Sequence, residues 1–395
     1  MKNRIKEIKI VIGANYGDEG KGLMTDYFSD RELKCLVVCN NGGAQRGHTV
    51  THGDRSHVFH HLGSGTLSGA DTYLSKYFIL NPILFAREYL EMRKYGITPL
   101  VYRNPDCLWS TPYDMIINQV VEEYRGARRH GSCGVGIWET IVRSRKIHIP
   151  LVQLEGKPTL MREYLERIRE DYLPERLKEL GVERIPKSWS GIINGEGLMD
   201  HFIEDVSFLT EHTQTAEDGL LHEYDRLIFE NGQGLLLDRN IEEFKEHTTP
   251  SNTGLQNISE MLSGLDFEKI PVEACYVTRT YLTRHGAGPF PRECLKSEIN
   301  PRMVDETNQP NAFQGALRYG IIDPIELGAR IEADYKKHAH NEDYSISLAI
   351  THLNETAGKW NGQTDIGTEL FKRIGVCRIY YSSDKGKEKI VKEDQ

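Results

Sequence analysis

The sequence lacks cysteine pairs at C-x-x-C spacing, and its 7 cysteines are odd in number. That excludes a simple zinc motif and a disulfide framework, and it reads as reduced thiols in a cytosolic protein. No apolar run approaches the roughly 20 residues that a membrane-spanning helix needs. The opening stretch from Met1 to Lys9 is charged, and the apolar residues behind it are broken at Gly13 and Gly17. It reads as the approach to a first strand and not as a signal peptide. Basic excess is lacking too. With 49 Lys and Arg against 58 Asp and Glu, the net charge is -9. A protein that grips nucleic acid through a basic face is therefore not expected, although a local pocket for one phosphorylated ligand is. Repeats, low-complexity segments and linker-like stretches are also missing. The expectation is one large domain over residues 1–381, with a charged, exposed tail at 382–395.

What is present is a globular composition, 38% hydrophobic and 27% charged. Ile8 to Ile12 reads as a strand, followed by a glycine-rich turn and a helix start at Leu23 to Phe28. Cys35 to Cys39 is a short, apolar strand of the buried type. Strand, helix and strand at this spacing predict a parallel βαβ unit. Leu84 to Tyr95 and Met115 to Tyr124 have helical periodicity, the second opened by Thr111 as N-cap and Pro112 as first position. Met161 to Leu180 reads as a highly charged helical stretch exposed on one face, and Glu122 to Arg129 as a solvated helix end. Leu227 to Glu230, Ala274 to Thr278 and Ser345 to Ile350 are further core strands. The fold class is thus α/β: a single large domain around a mostly parallel central sheet, with helices on both faces and inserted loops.

Two glycine-rich loops carry the chemistry. The first, Gly13 to Gly22, lies between a strand and a helix and contains Gly17-Asp18-Glu19-Gly20-Lys21-Gly22. Glycines let main-chain amides approach phosphate oxygens, and Lys21 adds a formal positive charge. The Walker pattern nearly fits, but Gly22 stands where Ser or Thr would hold Mg²⁺, so a standard P-loop GTPase is not expected. A carboxylate such as Asp18 beside phosphates calls for a metal between them or for a proton to abstract. The second loop, Gly42 to Thr49, follows the second strand and contains Gln45, Arg46, Gly47 and His48. An imidazole there suits general acid chemistry near neutral pH.

At this spacing the two loops resemble the adenylosuccinate synthetase family, whose members carry G-x-x-x-G-D-E-G-K-G and then G-G-x-x-x-G-H-T. Further blocks are similar in order along most of the chain. They are Leu62-Gly63-Ser64-Gly65, His130 to Ile137, Phe229 to Gly234 with Leu237-Asp238, Ser251-Asn252-Thr253, Thr283 to Pro291, which resembles T-R-V-G-x-G-P-F-P, and Arg318 to Asp323. The resemblance implies a Mg²⁺-dependent ligase joining L-aspartate to a purine nucleoside monophosphate at the expense of a nucleoside triphosphate. It implies a cytoplasmic homodimer without nucleic-acid or membrane partners. Asp18 would remove the purine N1 proton, the 6-oxygen would take the γ-phosphoryl group with help from His48, and the amine of aspartate would displace phosphate. Lys21 would offset charge, and Asp18 and the Gly47 carbonyl would hold Mg²⁺. Gly17, Glu19, Gly20, Lys21, Gly22, Gln45, Ser132, Cys133, Gln233, Asn252, Thr351, His352 and Asn354 would bind nucleotides or phosphates. Asn311, Gln314 and Arg318 would bind aspartate, and Arg143 or Arg145 would cross to a partner subunit.

Several blocks depart from the family pattern. Ala44-Gln45-Arg46 replaces N-N-A, and Gly131 to Gly136 loses the arginine of G-T-T-G-R-G to Val135. The arginine-rich loop has become Asn308 to Leu317, and T-K-L-D has become Thr351-His352-Leu353-Asn354. An aspartate accepts from both guanine N1–H and the 2-amino group, whereas Asn354 offers a single acceptor. That predicts ATP in place of GTP as donor. The departures are similar to a viral branch of the family that acts on dGMP and yields the succino precursor of 2-aminoadenine nucleotides, although that branch commonly replaces the aspartate retained here as Asp18. The alternatives are the ordinary enzyme acting on IMP with GTP, and a non-catalytic purine-nucleotide-binding regulator.

Overall fold

The structure, a computed structural model, describes residues 4–265, 270–303, 316–339, 344–356, 370 and 373–394. Among the described residues, ten strands form the central sheet: β1 (Glu7–Gly13), β2 (Cys35–Cys39), β3 (Asp71–Leu74), β4 (Val101–Arg103), β5 (Gln214–Thr215), β6 (Arg226–Gly234), β7 (Val272–Arg279), β8 (Tyr344–Thr351), β9 (Arg378–Ser382) and β10 (Ile390–Asp394). Their order is β10-β9-β8-β7-β1-β6-β2-β3-β4-β5. Every neighbouring pair is parallel except β9 with β10. Parallel strands need both faces covered, and the alternation within β1 shows how this is met. Ile8, Ile10 and Ile12 enter a core with Phe229, Tyr276 and Leu348, closed by the helices Gln256–Ser263 and Pro324–His338. Val11 points to the opposite face, with Val37, Val277 and the helix Lys21–Phe28. Each such large apolar side chain contributes about 1.5–3 kcal/mol by leaving water. The α/β expectation, with helices on both faces, is met.

A second core lies in the helical layer inserted between the sheet strands, from the helix Pro82–Lys94 to the helix Glu196–Glu211. Its helices start where local chemistry directs. Asn81 accepts from Leu84 N–H ahead of Pro82, and Thr111 forms a capping box with Asp114 ahead of Pro112. The charged helical stretch expected from Met161 to Leu180 is met: Pro158–Arg167 continues through a wide π-type turn at Ile168–Tyr172 into Leu173–Glu179, with Met161, Tyr164, Leu165, Ile168 and Leu177 on the buried side. Pro174 accounts for the wide turn, because it has no N–H to give the preceding turn. The charged C-terminal segment is paired in the sheet: Arg378 to Ser382 runs antiparallel to Ile390–Asp394, while the side chains of the last strand stay largely exposed.

Candidate active site

The carboxyl ends of β1, β2, β6 and β7 converge, and their loops form one cleft at the position where open α/β sheets take ligands. The first loop is braced from within. The Glu19 carboxylate turns back and accepts from the amides of Asn15 (3.0 Å) and Gly17 (2.8 Å). Lys21 is buried below it, 3.5 Å from Glu19 and bonded to the Gly17 carbonyl. The expectation that Glu19 and Lys21 face ligand phosphates is therefore corrected for this arrangement: their charges compensate each other beneath the loop. Gly17 and Asp18 remain on the cleft side. Gly22 has a steric reason of its own. A Cβ there would lie 3.1 Å from His48 Cβ and 3.1 Å from the Thr49 carbonyl oxygen, so glycine lets the first helix press on the second loop.

The second loop leads into the hairpin His48–His52 and Arg55–Phe59. His48 Nδ1 lies 2.8 Å from Glu230 Oε1, and the other Glu230 oxygen accepts from Arg46 at 3.3 Å and from the Ser64 amide at 3.2 Å. The Ser64 hydroxyl also donates to Glu230. Burial opposes the Glu230 charge, but His48, Arg46 and Ser64 overcome it and hold the carboxyl at about 2. Burial pushes His48 down to about 4, with Lys21 and Arg46 adding to the effect against the pull of Glu230. An ionised carboxylate only accepts, so Nδ1 carries the proton and Nε2 is an acceptor in the resting site. Arg46 is a pin and not a ligand-facing cation. It donates to the carbonyls of His60, His61 and Leu62, and the same turn is held from behind by Glu88, which accepts the amides of these three residues.

The cleft has a volume of about 1690 Å³, larger than the roughly 300–1,000 Å³ typical of one small-molecule pocket. It brings together Gly17, Asp18, Gln45, Gly47, His48, Ser132, Cys133, Gln233 and Asn252, which the sequence placed at a catalytic, nucleotide or metal site, together with Arg145, which it placed at a partner subunit. Both amide atoms of Gln45, and Oε1 of Gln233, are buried without a partner among the described residues. Unpaired buried amides cost free energy unless a ligand completes them, which marks this wall as one that reads a polar edge. Gln233 adopts φ 57°, and β6 slips register here, with Val11 opposite Glu230 and Gly13 opposite Gly234. Such an irregularity re-aims a side chain beside a site. Ser132 exchanges hydrogen bonds with Asn118, and its amide, with those of His130 and Gly131, donates to Glu122. Glu122 is therefore a buried anchor of the cleft loop, not part of a solvated helix end. The lining is also rich in cations, including Lys76, Arg125, Arg145, Arg239 and Arg284, which opposes the overall negative charge and suits polyanionic ligands.

Other expected residues stand elsewhere. Arg143 is fully buried, bonded to Asp114, the Tyr164 hydroxyl and the Trp109 carbonyl, so it cannot cross to a partner; that expectation is corrected. Arg145 lies on the cleft, with its guanidinium 5.9 Å over the Trp138 ring. Arg318 is not at the cleft. Glu293 engages its fork on two sides and the Gly286 and Gly288 carbonyls take the rest, so the expected aspartate contact is already filled by a protein carboxylate. Gly20 touches the other side of the loop, where a Cβ would meet Thr351 at 3.3 Å. Thr351 donates to the Glu19 carbonyl, His352 adopts φ 59°, and Asn354 is exposed, so this turn packs behind the first loop and outside the cleft lining. Asn311 and Gln314 lie outside the described residues. Sequence reasoning missed the roles of Glu230, Glu122 and Glu88. A carboxylate at the end of an apolar core strand, as in Phe229-Glu230, was a usable signal, because such a charge demands partners.

Residues 10–327 match the family model described as Adenylosuccinate synthetase. The adenylosuccinate synthetase of Clostridium beijerinckii is 30% identical over 390 residues, covering 95% of this chain and 81% of that protein. That of Clostridium botulinum is 31% identical over 359 residues, with 88% and 78% covered. Among solved structures, fully ligated adenylosuccinate synthetase from Plasmodium falciparum superposes with a TM-score of 0.73 at 15% identity, covering 98% of this chain and 100% of that one. Succinoaminodeoxyadenylate synthetase (PurZ) of cyanophage S-2L, bound to dGMP and dATP as an energy donor, gives a TM-score of 0.62 at 15% identity, with 98% and 95% covered. At this identity the two structures speak for the fold alone.

Proposed function

The chain belongs to the adenylosuccinate synthetase family, ligases that form a C–N bond from aspartate and a purine nucleotide, and we propose that its purine substrate is dGMP and its phosphate donor ATP. The observation that carries this branch is the cleft wall at Cys133 and Val135. Where the family pattern has threonine and arginine, these side chains offer almost no hydrogen-bond donors, which suits a sugar without a 2′-hydroxyl. Asn354 adds support on the donor side, because it lacks the paired acceptors that select guanine. The ligands of the cyanophage structure, dGMP and dATP, are those of a protein with this fold.

In this reading Gln45 and Gln233 hold the purine edge, and Ser132, Cys133 and Asn252 the rest of the monophosphate. Asp18 takes the N1 proton, and the 6-oxygen then attacks the γ-phosphorus of the triphosphate. The negative charge of the bound phosphates raises the proton affinity of His48, whose Nε2 takes up a proton from solvent; Glu230 stabilises the imidazolium, so Nε2 turns from acceptor to donor at the transferring group. The amine of L-aspartate then displaces phosphate at C6. Asp18 and Gly47 both line the cleft. Two hard protein oxygens, completed by phosphate and water, form a donor set that fits Mg²⁺. Asp18 and Gly47 would hold that ion, which supplies charge neutralisation for the phosphates. The reading includes a homodimer in which Arg145 is the arginine able to reach a partner's nucleotide.

The retained Asp18 favours a second reading, IMP with GTP. A matrix of IMP, GMP and dGMP against ATP and GTP, with L-aspartate and Mg²⁺, separates the two by phosphate release and product mass. The proposal expects dGMP with ATP to be turned over best. Preference for IMP with GTP would establish the ordinary reaction, and no release from any pair would point to a nucleotide-binding regulator.

A further inference from the structure

Arg279 donates to the backbone carbonyl of Asp18, so the main chain is held and the side-chain rotamer sets where the carboxylate points. Asp18 Oδ2 lies 3.3 Å from Nε2 of His285, and both side chains keep partial exposure, 26% and 21%. Both also line the cleft, so the contact forms at the ligand surface and not in the core. His285 is presented rigidly. It follows the strand Leu282–Arg284, whose Arg284 is buried, donates to the Pro289 carbonyl at 2.7 Å and lies 4.9 Å over the Tyr16 ring. Gly286 turns at φ +72°, where a Cβ would stand 3.0 Å from the Gly131 carbonyl oxygen. The Ala287 amide donates to the His130 carbonyl at 3.2 Å. The imidazole is thus fixed between the first loop and the loop that Glu122 anchors. The resembled pattern T-R-V-G has valine at this position, and valine has no atom to hold a carboxylate.

Resting on the proposed function, we propose that His285 is a positioning residue for Asp18: it engages Oδ2 and so fixes the direction in which the remaining carboxylate lone pairs meet the purine N1 proton and the ion that Asp18 would hold. A carboxylate free to rotate would spend much of its time misdirected, and a displacement of about 1 Å at a reacting group is enough to cost on the order of 100-fold in rate. The effect falls on the chemical step and not on nucleotide binding, because the purine edge is also held by Gln45 and Gln233.

The test compares His285→Val with His285→Gln in kcat and KM, using the purine monophosphate that the substrate matrix identifies, with thermal melting alongside. His285→Val should lower kcat about 10- to 100-fold while the purine KM moves less than about 3-fold. His285→Gln, whose amide still donates to Oδ2, should recover most of that loss. Equal loss in both variants, loss through KM alone, or an unchanged kcat in His285→Val would overturn the role. If His285→Val melts early, the shortfall of kcat relative to an equally unstable His285→Gln still decides. A wild-type chain that turns over none of the purines would overturn the functional reading itself, an outcome distinct from an active wild type with indifferent variants.

Discussion

His48 Nδ1 lies 2.8 Å from Glu230 Oε1, and both side chains are buried. The carboxylate selects the tautomer and waits to stabilise the imidazolium, a division of labour that a neutral amide cannot reproduce. Glu230→Gln should therefore lower kcat by about 100-fold or more, as loss of a tautomer-fixing carboxylate does elsewhere. Steady-state kinetics with a circular-dichroism check of folding measures this. A kcat within about 3-fold of wild type would show that the pair is structural only.

The same pair makes a statement about pH. The folded His48 is held below its ordinary value, at about 4, so the neutral form is the one that folding favours. Its contribution to stability is full above the ordinary histidine value of 6.5 and is lost as pH falls from there toward about 4. In kcat/KM, which reports the free enzyme, no inflection from His48 should appear near 6.5. A His48→Asn variant should accordingly lose part of the acid-side fall in melting temperature that the wild type shows between these values.

Glu88 is a second buried carboxylate with a measurable signature. Burial raises its carboxyl, but His57, His61 and His60 outweigh burial and hold it well below the ordinary glutamate value. Its stabilisation is present above 4.5 and disappears as pH falls below that value. Glu88→Gln leaves the amides of the His60–Leu62 turn with one weaker acceptor and should cost about 1–3 kcal/mol at neutral pH. Urea melts at pH 7 and pH 4 test it: the gap between wild type and variant should shrink in acid.

Arg143 and Arg145 should separate cleanly. Arg143→Met leaves Asp114 buried and uncompensated, and should destabilise the chain by about 3–5 kcal/mol in urea denaturation. Arg145→Ala should melt near the wild type and raise a nucleotide KM instead, by about 10-fold for a lost charged contact. The reverse assignment would show that the cleft arginine has been misread.

Asn354→Asp restores paired acceptors on the turn behind the first loop. The ratio of kcat/KM for GTP to that for ATP should rise about 10-fold or more, a change of about 1–3 kcal/mol. Side-by-side kinetics with the two triphosphates reads it directly, and an unchanged ratio would remove Asn354 from donor selection.

Much of this protein is written locally. The alternation in Ile8 to Ile12, the Thr111-Pro112 start of a helix and the glycine loops after β1 and β2 depend on neighbours a few residues away, so spacing and turn chemistry suffice to read them. The gathering of Gly17, Asp18, Gln45, Gly47 and His48 follows from strand ends in a parallel sheet, and it too was legible. Tertiary structure decided what those residues face. Arg143 and Arg145 share one helix, but positions two apart point about 200° from each other, and only the packing shows that one enters the core. Lys21 and Glu19 look like phosphate ligands in sequence, yet burial drives opposite charges together beneath the loop. Glu230 and His285 come from distant segments to hold His48 and Asp18, and no local pattern encodes such meetings. Periodicity and capping are short-range effects, whereas the partner of a buried charge is set by whichever strand the fold lays beside it.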